Sequence, residues 1–276
     1  PKLVHLEFLK FSRGGPYENY LATELQLAAL GGWIVQVGDP ARSPLVTNSA
    51  SMSAFVPGIV GALSALAALN GARRTGHGTH LDLSSHEALL FTTRFNETYL
   101  SYTGVDIKRA GNTFADLPAY RVFKTTDGYL SSAAGTDVQV ETLMKMAGIA
   151  SDLFATRDLR KKHIGEFCAT LDQWFAVTKR DDVFHEGQRR RIPLGKVAAI
   201  DEVVNSEQGR ARGFFEEIDH PVVGRRVYPG GPAKFSETPV VPRRAPLLGE
   251  HTAAVLAGEL GFSREDLAAL AGLGVI

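Results

Sequence analysis

The sequence predicts an α/β fold, in which strands and helices alternate along the chain. Residues 3–9 alternate between apolar and polar side chains, which is typical of a strand. Residues 54–74 are a long run of small apolar residues that predicts a helix, and a turn at 75–78 with a strand at 79–83 follows. A strand pair is indicated on either side of Asp127-Gly128, because this dipeptide favours the positive φ values of tight turns.

The first half of the chain also contains two shorter helices. One is predicted over residues 18–30, where Gly31-Gly32 supplies the stop signal. The other is predicted over residues 84–103, because Ser84 and Glu87 have the spacing of a capping box. Ser51 and Ser53 are the candidate caps of the long helix between them.

In the second half, strands 119–124 and 128–133 are followed by a mainly helical stretch. Helices are predicted over residues 138–147, 157–177, 180–188, 201–204, 206–212, 250–260 and 263–270. An extended run is expected at 192–200, and a hairpin is expected from strands 217–222 and 225–228. Residues 229–246 are a connector rich in proline and glycine, of a kind that carries the chain between lobes.

The charge balance gives no indication of a nucleic-acid or anionic membrane partner. The 276 residues contain 30 Lys plus Arg and 30 Asp plus Glu, so the chain has no net field to attract a polyanion. The short basic runs 189–191 and 243–244 read as solvated loop charges, with phosphate contacts to a nucleotide-like ligand as the alternative.

Compartment and membrane association follow from two further features. Cys168 is the single cysteine, which rules out an internal disulfide and predicts a reducing, cytoplasmic location. Residues 52–69 are apolar enough to raise the question of a membrane span. Pro57 and the absence of a polybasic flank favour an interior helix instead.

Four separated blocks of sequence resemble the family III (CaiB/BaiF-type) CoA-transferases. The central block is RRTGHGTHLDLS at residues 73–84, extending to the acid Glu87. The other blocks are residues 15–17, residues 99–129 with the motifs YLSYTG, RAGN and YRVFKTTDGY, and residues 210–276 with the motifs RARGFF, HPVVG, PLLGEHT and the terminal GVI.

The resemblance implies an architecture. Members have a large lobe with a doubly wound, Rossmann-like sheet, a smaller α+β lobe, and two subunits threaded as interlocked rings. On this chain, residues 1–105 would form part of the large lobe with its N-terminal portion missing, and residues 106–213 the small lobe. Residues 214–276 would return to the large lobe. The opening strand, with nothing before it, suggests the later part of a longer protein.

The resemblance also implies a reaction, CoA transfer between an acyl-CoA and a small carboxylic acid, with no permanently bound cofactor. In the family, an aspartate that opens the long helix attacks the thioester, and the matching position here is Ala54. A methyl group cannot act as a nucleophile, and residues 41–78 contain no Asp or Glu. Ser51 and Ser53 flank the position, but no base is apparent beside them.

Two hypotheses follow. In the first, the chain is a degenerate, nucleophile-less half of a tandem fusion or hetero-oligomer, and a sibling domain carries the aspartate; the partner would be a homodimer copy or that sibling domain. In the second, it belongs to an active acyl-CoA enzyme, a transferase or a racemase-like protein, that uses groups outside this segment. Family racemases need a His and an Asp. The matching positions lie near Thr23 and near Ser53 or Ala54, and they hold neither residue, although Glu24 follows Thr23.

Four residues are candidate ligand contacts. Gly111 and Asn112 lie where transferases carry a mobile glycine-rich loop, with a plain turn as the alternative, and Phe114-Ala115 replaces a family His-Pro. Gly135 and Asp137 follow a strand and open a helix, where Thr136 or Asp137 is a natural N-cap. No metal site is predicted, because the turn histidines His77 and His80 have no Cys or acid at ligand spacing.

Overall fold

A computed structural model of the chain describes residues 2–46, 52–114 and 117–276, and strands and helices alternate in these ranges as predicted. Two units are distinguished by their internal contacts, Pro1–Val197 and Ala198–Ile276. The predicted lobe boundaries after residues 105 and 213 stay predictions.

The first layer of the larger unit is a parallel pair of strands, β1 (Val4–Leu9) and β2 (Thr79–Ser84). Their register runs from Val4 opposite Thr79 to Leu9 opposite Ser84. Helix α2 (Met52–Thr75) covers one face of this pair at Gly61. A Cβ atom at Gly61 would lie 3.1 Å from Leu83 Cδ2, so the missing side chain lets the helix approach the sheet closely.

Helices α1 (Glu24–Leu30) and α3 (Ser85–Thr103) complete this layer. The predicted helix over residues 18–30 is therefore wrong in its first part. Turns occupy residues 15–20, with the Tyr20 N–H bonded to the Tyr17 carbonyl at 2.9 Å. The helix begins only after Thr23, because Gln26 reaches back to accept the Thr23 N–H at 3.0 Å and closes a capping box.

The close approach at Gly78 gives a stability prediction. A Cβ atom there would lie 1.9 Å from the Leu3 carbonyl oxygen, which accepts the Thr79 N–H at 3.0 Å and extends the β1–β2 ladder. We expect Gly78→Ala to force the backbones apart and to lower the free energy of unfolding by about 1–3 kcal/mol.

Urea denaturation followed by circular dichroism would measure this loss. Gly71→Ala is the matched control, because Gly71 lies inside α2 with open space around its Cβ position. That substitution should raise the free energy of unfolding by about 0.5–1 kcal/mol. A loss at position 71, or none at position 78, would contradict the packing described here.

The second layer of this unit is an antiparallel sheet. Within the described residues its strands are ordered β3 (Thr113–Phe114), β4 (Leu117–Thr125), β5 (Gly128–Ala133) and β6 (Leu194–Lys196). The predicted β4–β5 pair is confirmed, with Gly128 at a φ of +153° in the turn. The predicted run over residues 192–200 is extended and paired only from Leu194 to Lys196.

Helices α4 (Asp137–Met146), α5 (Arg157–Lys162), α6 (Ile164–Ala176) and α7 (Arg180–Arg189) accompany this sheet. The prediction of one continuous helix over residues 157–177 is wrong. The backbone leaves the helical region at His163, where φ is −108° and ψ is 33°, so α5 ends and α6 begins there.

The hydrophobic core of this unit lies between the antiparallel sheet and helices α4, α6 and α7. Phe123 and Phe175 are fully buried, and their rings stack with centroids 4.0 Å apart. Phe154 packs edge-on against Phe167 with centroids 5.0 Å apart, and Leu130, Leu143 and Leu171 are also fully buried. These aromatic pairs bury large apolar areas and hold the sheet against the helices.

The smaller unit contains short elements. They are α8 (Ile200–Val204), α9 (Glu207–Arg212), β7 (Phe215–Ile218), β8 (Arg226–Pro229), a π-helical turn (Ala254–Glu259) and α10 (Arg264–Gly272). The predicted hairpin exists, but its strands are shorter and shifted. A turn closed by the Gly224 N–H and the His220 carbonyl at 2.8 Å occupies residues assigned to the first strand. The predicted helix over 250–260 forms over residues 252–259, and most of it, Ala254–Glu259, has π-helical geometry.

An ion pair in the smaller unit gives a pH prediction. The Arg244 guanidinium and the Leu247 N–H both bond to the Glu250 carboxylate and lower the pKa of Glu250 to about 2. A lowered pKa stabilises the folded state above pH 4.5, the ordinary value, and this contribution is lost as the pH falls from 4.5 towards 2.

An NMR titration that follows the Glu250 carboxyl carbon would give the pKa of this residue directly, as the midpoint of the curve. We expect a value near 2 in the unmodified chain and a higher value in Arg244→Gln, which removes the main cause of the shift. A midpoint that stays the same in both proteins would show that the ion pair is not formed.

Helix α2 is the one helix in the described ranges that is long and apolar enough to cross a membrane, judged by length and composition alone. It has 24 residues, and 17% of its most apolar 18-residue stretch is buried. Its Gly61 lies against Leu6, Phe8 and Leu83, so one face of the helix packs on the parallel strands. The prediction of no membrane partner stays a prediction.

Candidate functional site

Ala54 lies in the first turn of α2 and is exposed. Beside it, Ser53 is 6% exposed and its Oγ has no hydrogen-bond partner in the described residues. Ser53 therefore does not cap α2, contrary to the prediction, because it lies inside the helix with a buried hydroxyl. Ser51, the other predicted cap, is outside the described residues. The first turn of α2 thus presents a methyl group at residue 54. That this residue matches the family's nucleophile stays a prediction.

Gly111 and Asn112 form a turn that is fixed on both sides. Gly111 has a φ of +67°, and its N–H donates to the Gly38 carbonyl at 3.1 Å. The Asn112 carbonyl accepts the Val122 N–H of β4 at 3.3 Å. These bonds favour the plain turn over the mobile loop, and the neighbouring Ala115 lies outside the described residues.

Arg109 holds the same turn against the loop that leads towards α2. Its guanidinium donates to the carbonyl oxygens of Arg42 at 3.0 Å, Val35 at 3.2 Å and Asp39 at 3.3 Å. One planar cation thereby fixes several main-chain carbonyls of residues 35–42. Arg109 was not among the predicted site residues. Its place at the start of the RAGN motif could have indicated a structural role.

Gly135 and Asp137 lie together in a different place, at the start of α4. Thr136 is the N-cap, and its Oγ1 accepts the Gln139 N–H at 3.3 Å, which confirms the predicted cap. The Asp137 carboxylate pairs with the buried guanidinium of Arg160, which also donates to the Phe154 carbonyl at 2.9 Å. Gly135 and Asp137 both line a small cleft together with Leu117 and Val140.

The four predicted contact residues therefore form two separate pairs. Gly111 and Asn112 lie on the β3 side of strand β4, whereas Gly135 follows β5 on the other side. In the described part of the chain no hydrogen bond joins the two pairs. A single ligand site that uses all four residues stays a prediction.

A charged cluster that the sequence analysis missed lies at the carboxyl ends of the parallel strands. The Arg13 guanidinium bonds to Glu7 at 2.7 Å and lowers the pKa of that carboxyl. The Ser12 hydroxyl bonds to Asp82 at 2.6 Å and is the main cause of a lowered pKa there. The lowered pKa values mean that both carboxylates are ionised at neutral pH. Their hydrogen bonds to Ser12 and Arg13 hold the loop after β1 in place.

The signal for this cluster was present in the sequence. His5 and Glu7 alternate with apolar residues in β1, and His80 and Asp82 do so in β2. Because strand side chains alternate between the two faces, the face away from α2 is polar. Ser12 has a φ of +68°, an uncommon conformation for a residue with a side chain, and the Asp82 bond holds it there.

Comparisons with known proteins agree with this architecture. The sequence profile of CoA-transferase family III matches residues 1–252. A succinate–glutarate CoA-transferase of Agrobacterium fabrum is 30% identical over 267 residues, which cover 93% of this chain and 65% of that protein. A formyl-CoA:oxalate CoA-transferase of Streptomyces avermitilis is 27% identical, covering all of this chain and 72% of that protein.

Solved structures show the same fold. A CaiB/BaiF family protein from Brucella suis superposes with a TM-score of 0.77 at 26% identity, covering 94% of this chain and 68% of that one. A hypothetical protein from Mycobacterium tuberculosis gives a TM-score of 0.71 at 18% identity, over 91% and 67% of the two chains. The chain spans about two thirds of the length of the relatives that it matches. On the evidence of the profile match, the relatives and the shared fold, the chain belongs to CoA-transferase family III.

Proposed function

We propose that this chain is the nucleophile-less part of a CoA-transferase-like protein that binds CoA thioesters and small carboxylic acids. The named relatives act on succinate and glutarate or on formyl-CoA and oxalate, which supports a short acyl-CoA and a small carboxylate as the substrate class. CoA enters as a substrate, and no permanently bound cofactor is part of the proposal.

The observation that carries the proposal is the methyl group at Ala54. Acyl transfer through the enzyme needs a side chain that attacks the thioester carbon and expels CoA thiolate, and a methyl group has no lone pair to do so. Residues 41–78 contain no Asp or Glu that could replace it. The acids Glu7 and Asp82 are held in other hydrogen bonds.

A second polypeptide or a second copy of the chain belongs to this proposal. The outward face of α2 presents Phe55, Ile59 and Leu63, each more than 60% exposed. Contiguous apolar side chains of this size mark an association surface. We infer that a homodimer partner or a sibling domain covers this face, in a cytoplasmic protein without nucleic-acid or membrane partners. A copy of this chain has the same alanine, so only a sibling domain with a different sequence could supply the carboxylate.

Calorimetry with CoA and succinyl-CoA, on the protein as its gene encodes it, tests the proposal. A hydroxylamine trap and borohydride reduction, followed by peptide mass spectrometry, would then locate any acyl or CoA adduct. We expect saturable binding and no adduct within residues 1–276 of this chain. An adduct inside this chain would establish the alternative, an active acyl-CoA enzyme with an unrecognised nucleophile, and absence of binding would leave the chain a scaffold.

A further inference from the structure

A second cleft lies at the end of α4 that is remote from Gly135 and Asp137. It is bordered by Met146, the last residue of α4, by the end of α6 and by the start of α7. Its volume is about 380 Å³, and small-molecule sites have volumes of about 300–1,000 Å³. The cleft opens to solvent, so a small ligand can enter it directly.

Four of the eight residues that line the cleft are apolar, namely Met146, Trp174, Val177 and Val183. Val183 is 5% exposed, and the Trp174 ring packs edge-on against the buried Phe175 with centroids 4.6 Å apart. The hydrophobic core therefore holds part of this lining in place. Indole and thioether side chains offer large contact areas to an aliphatic group.

The charged side chains of the lining are Lys179, Asp182 and Glu186. Glu186 accepts hydrogen bonds from Arg189 at 2.6 Å and from Arg190 at 2.5 Å, and these two cations lower the pKa of its carboxyl. Its charge is therefore compensated within α7. Within the described residues, the side chains of Lys179 and Asp182 take part in no ion pair and no hydrogen bond. One cation and one anion thus remain for a ligand.

The remaining residue of the lining, Thr178, already has partners in the fold. Its hydroxyl donates to the Phe175 carbonyl at 2.8 Å, and its own carbonyl accepts the N–H and the hydroxyl of Thr126, each at 3.0 Å. The charges of Lys179 and Asp182 are therefore the features that determine which polar groups a ligand should carry.

A ligand that matches this lining has one negative group, one positive group and an aliphatic part. We propose that the cleft binds a free α-amino acid with an aliphatic side chain. The carboxylate of the amino acid pairs with Lys179, its ammonium group pairs with Asp182, and its side chain contacts Trp174 and Met146. A monocarboxylate or an alkylamine would satisfy only one of the two charges. The site is separate from Ala54 and independent of the thioester chemistry.

An NMR titration of the protein as its gene encodes it, with L-leucine, L-alanine, N-acetyl-L-leucine and L-leucinamide, tests the proposal. With leucine we expect saturable shifts of the Met146 methyl and the Trp174 indole signals and none at Trp33, which lies outside the cleft. Alanine should bind at least about tenfold more weakly, because each buried methylene contributes roughly fourfold.

The two blocked ligands test the charges. N-acetyl-leucine has no ammonium group and leucinamide has no carboxylate, so each should bind several-fold more weakly than leucine. If either binds as tightly as leucine, the zwitterion assignment is wrong. Alanine that binds as tightly as leucine would refute the aliphatic contact, and leucine shifts that do not saturate would refute the site.

Two substitutions assign each charge to its side chain. Lys179→Gln should weaken leucine binding by up to about fivefold and leave leucinamide binding unchanged. Asp182→Asn should weaken leucine binding to a similar extent and leave N-acetyl-leucine binding unchanged. Lys162→Gln and Asp158→Asn are the matched controls, since they remove the same charges from α5, outside the cleft.

Equal effects of the cleft variants and of their controls would contradict the proposal. Circular dichroism checks that each variant folds, and the ligand series on the unmodified protein tests the site without any substitution.

Discussion

We expect Ala54→Asp to produce an acyl adduct that the unmodified chain does not form. The substitution places a carboxylate in the first turn of α2, at the position that we predict to match the family's nucleophile and where the helix N-terminus favours a negative charge. Ala54 is exposed, so the larger side chain should be accommodated. With succinyl-CoA, a hydroxylamine-sensitive adduct should form at least about a thousandfold faster than the background reaction of the unmodified chain. That is the order by which a nucleophile changes the rate.

Ala54→Asn is the control for this experiment. The amide has nearly the same shape as the carboxylate but is not a competent nucleophile, so it should form no adduct. Mass spectrometry of the peptide that contains residue 54 would assign the site of modification. If Ala54→Asp binds succinyl-CoA and still forms no adduct, the rest of the acyl pocket has diverged together with the nucleophile. The proposal of an intact but disarmed site would then be wrong.

The second large effect is expected from Phe123→Ala. Phe123 is fully buried in β4 and stacks on Phe175 of α6, so its removal leaves a cavity between the antiparallel sheet and its helices. Large-to-small substitutions at such positions cost about 3–5 kcal/mol, a large part of the total stability of a domain. Urea denaturation followed by tryptophan fluorescence should report the loss, because Trp174 packs against Phe175 with ring centroids 4.6 Å apart.

Tyr129→Ala provides the comparison for Phe123→Ala. Tyr129 is the first residue after the turn glycine of β5 and is 52% exposed, so removing its ring should cost less than about 1 kcal/mol. Equal losses for the two substitutions would show that the stacked pair does not organise this core.

Local sequence signals determined much of the fold. The apolar run of α2, the Ser84 cap of α3 and the Asp127-Gly128 turn each depend on residues a few positions apart, and all three elements form where expected. Local sequence signals gave the wrong start for helix α1, where two of them competed. Residues 18–22 suit a helix, but the capping box at Thr23 delays its start to Glu24.

The candidate site shows the limit of local information most clearly. The sequence by itself determined the family resemblance and the alanine at position 54, because both are matters of residue identity. Only the tertiary structure decided that Gly111 is bonded to Gly38, that Arg160 is buried against Asp137, and that Ser12 is held by Asp82. These contacts join residues 23 to 73 positions apart. Neither helical nor strand periodicity reaches so far, so the folded chain alone fixes which of these groups meet.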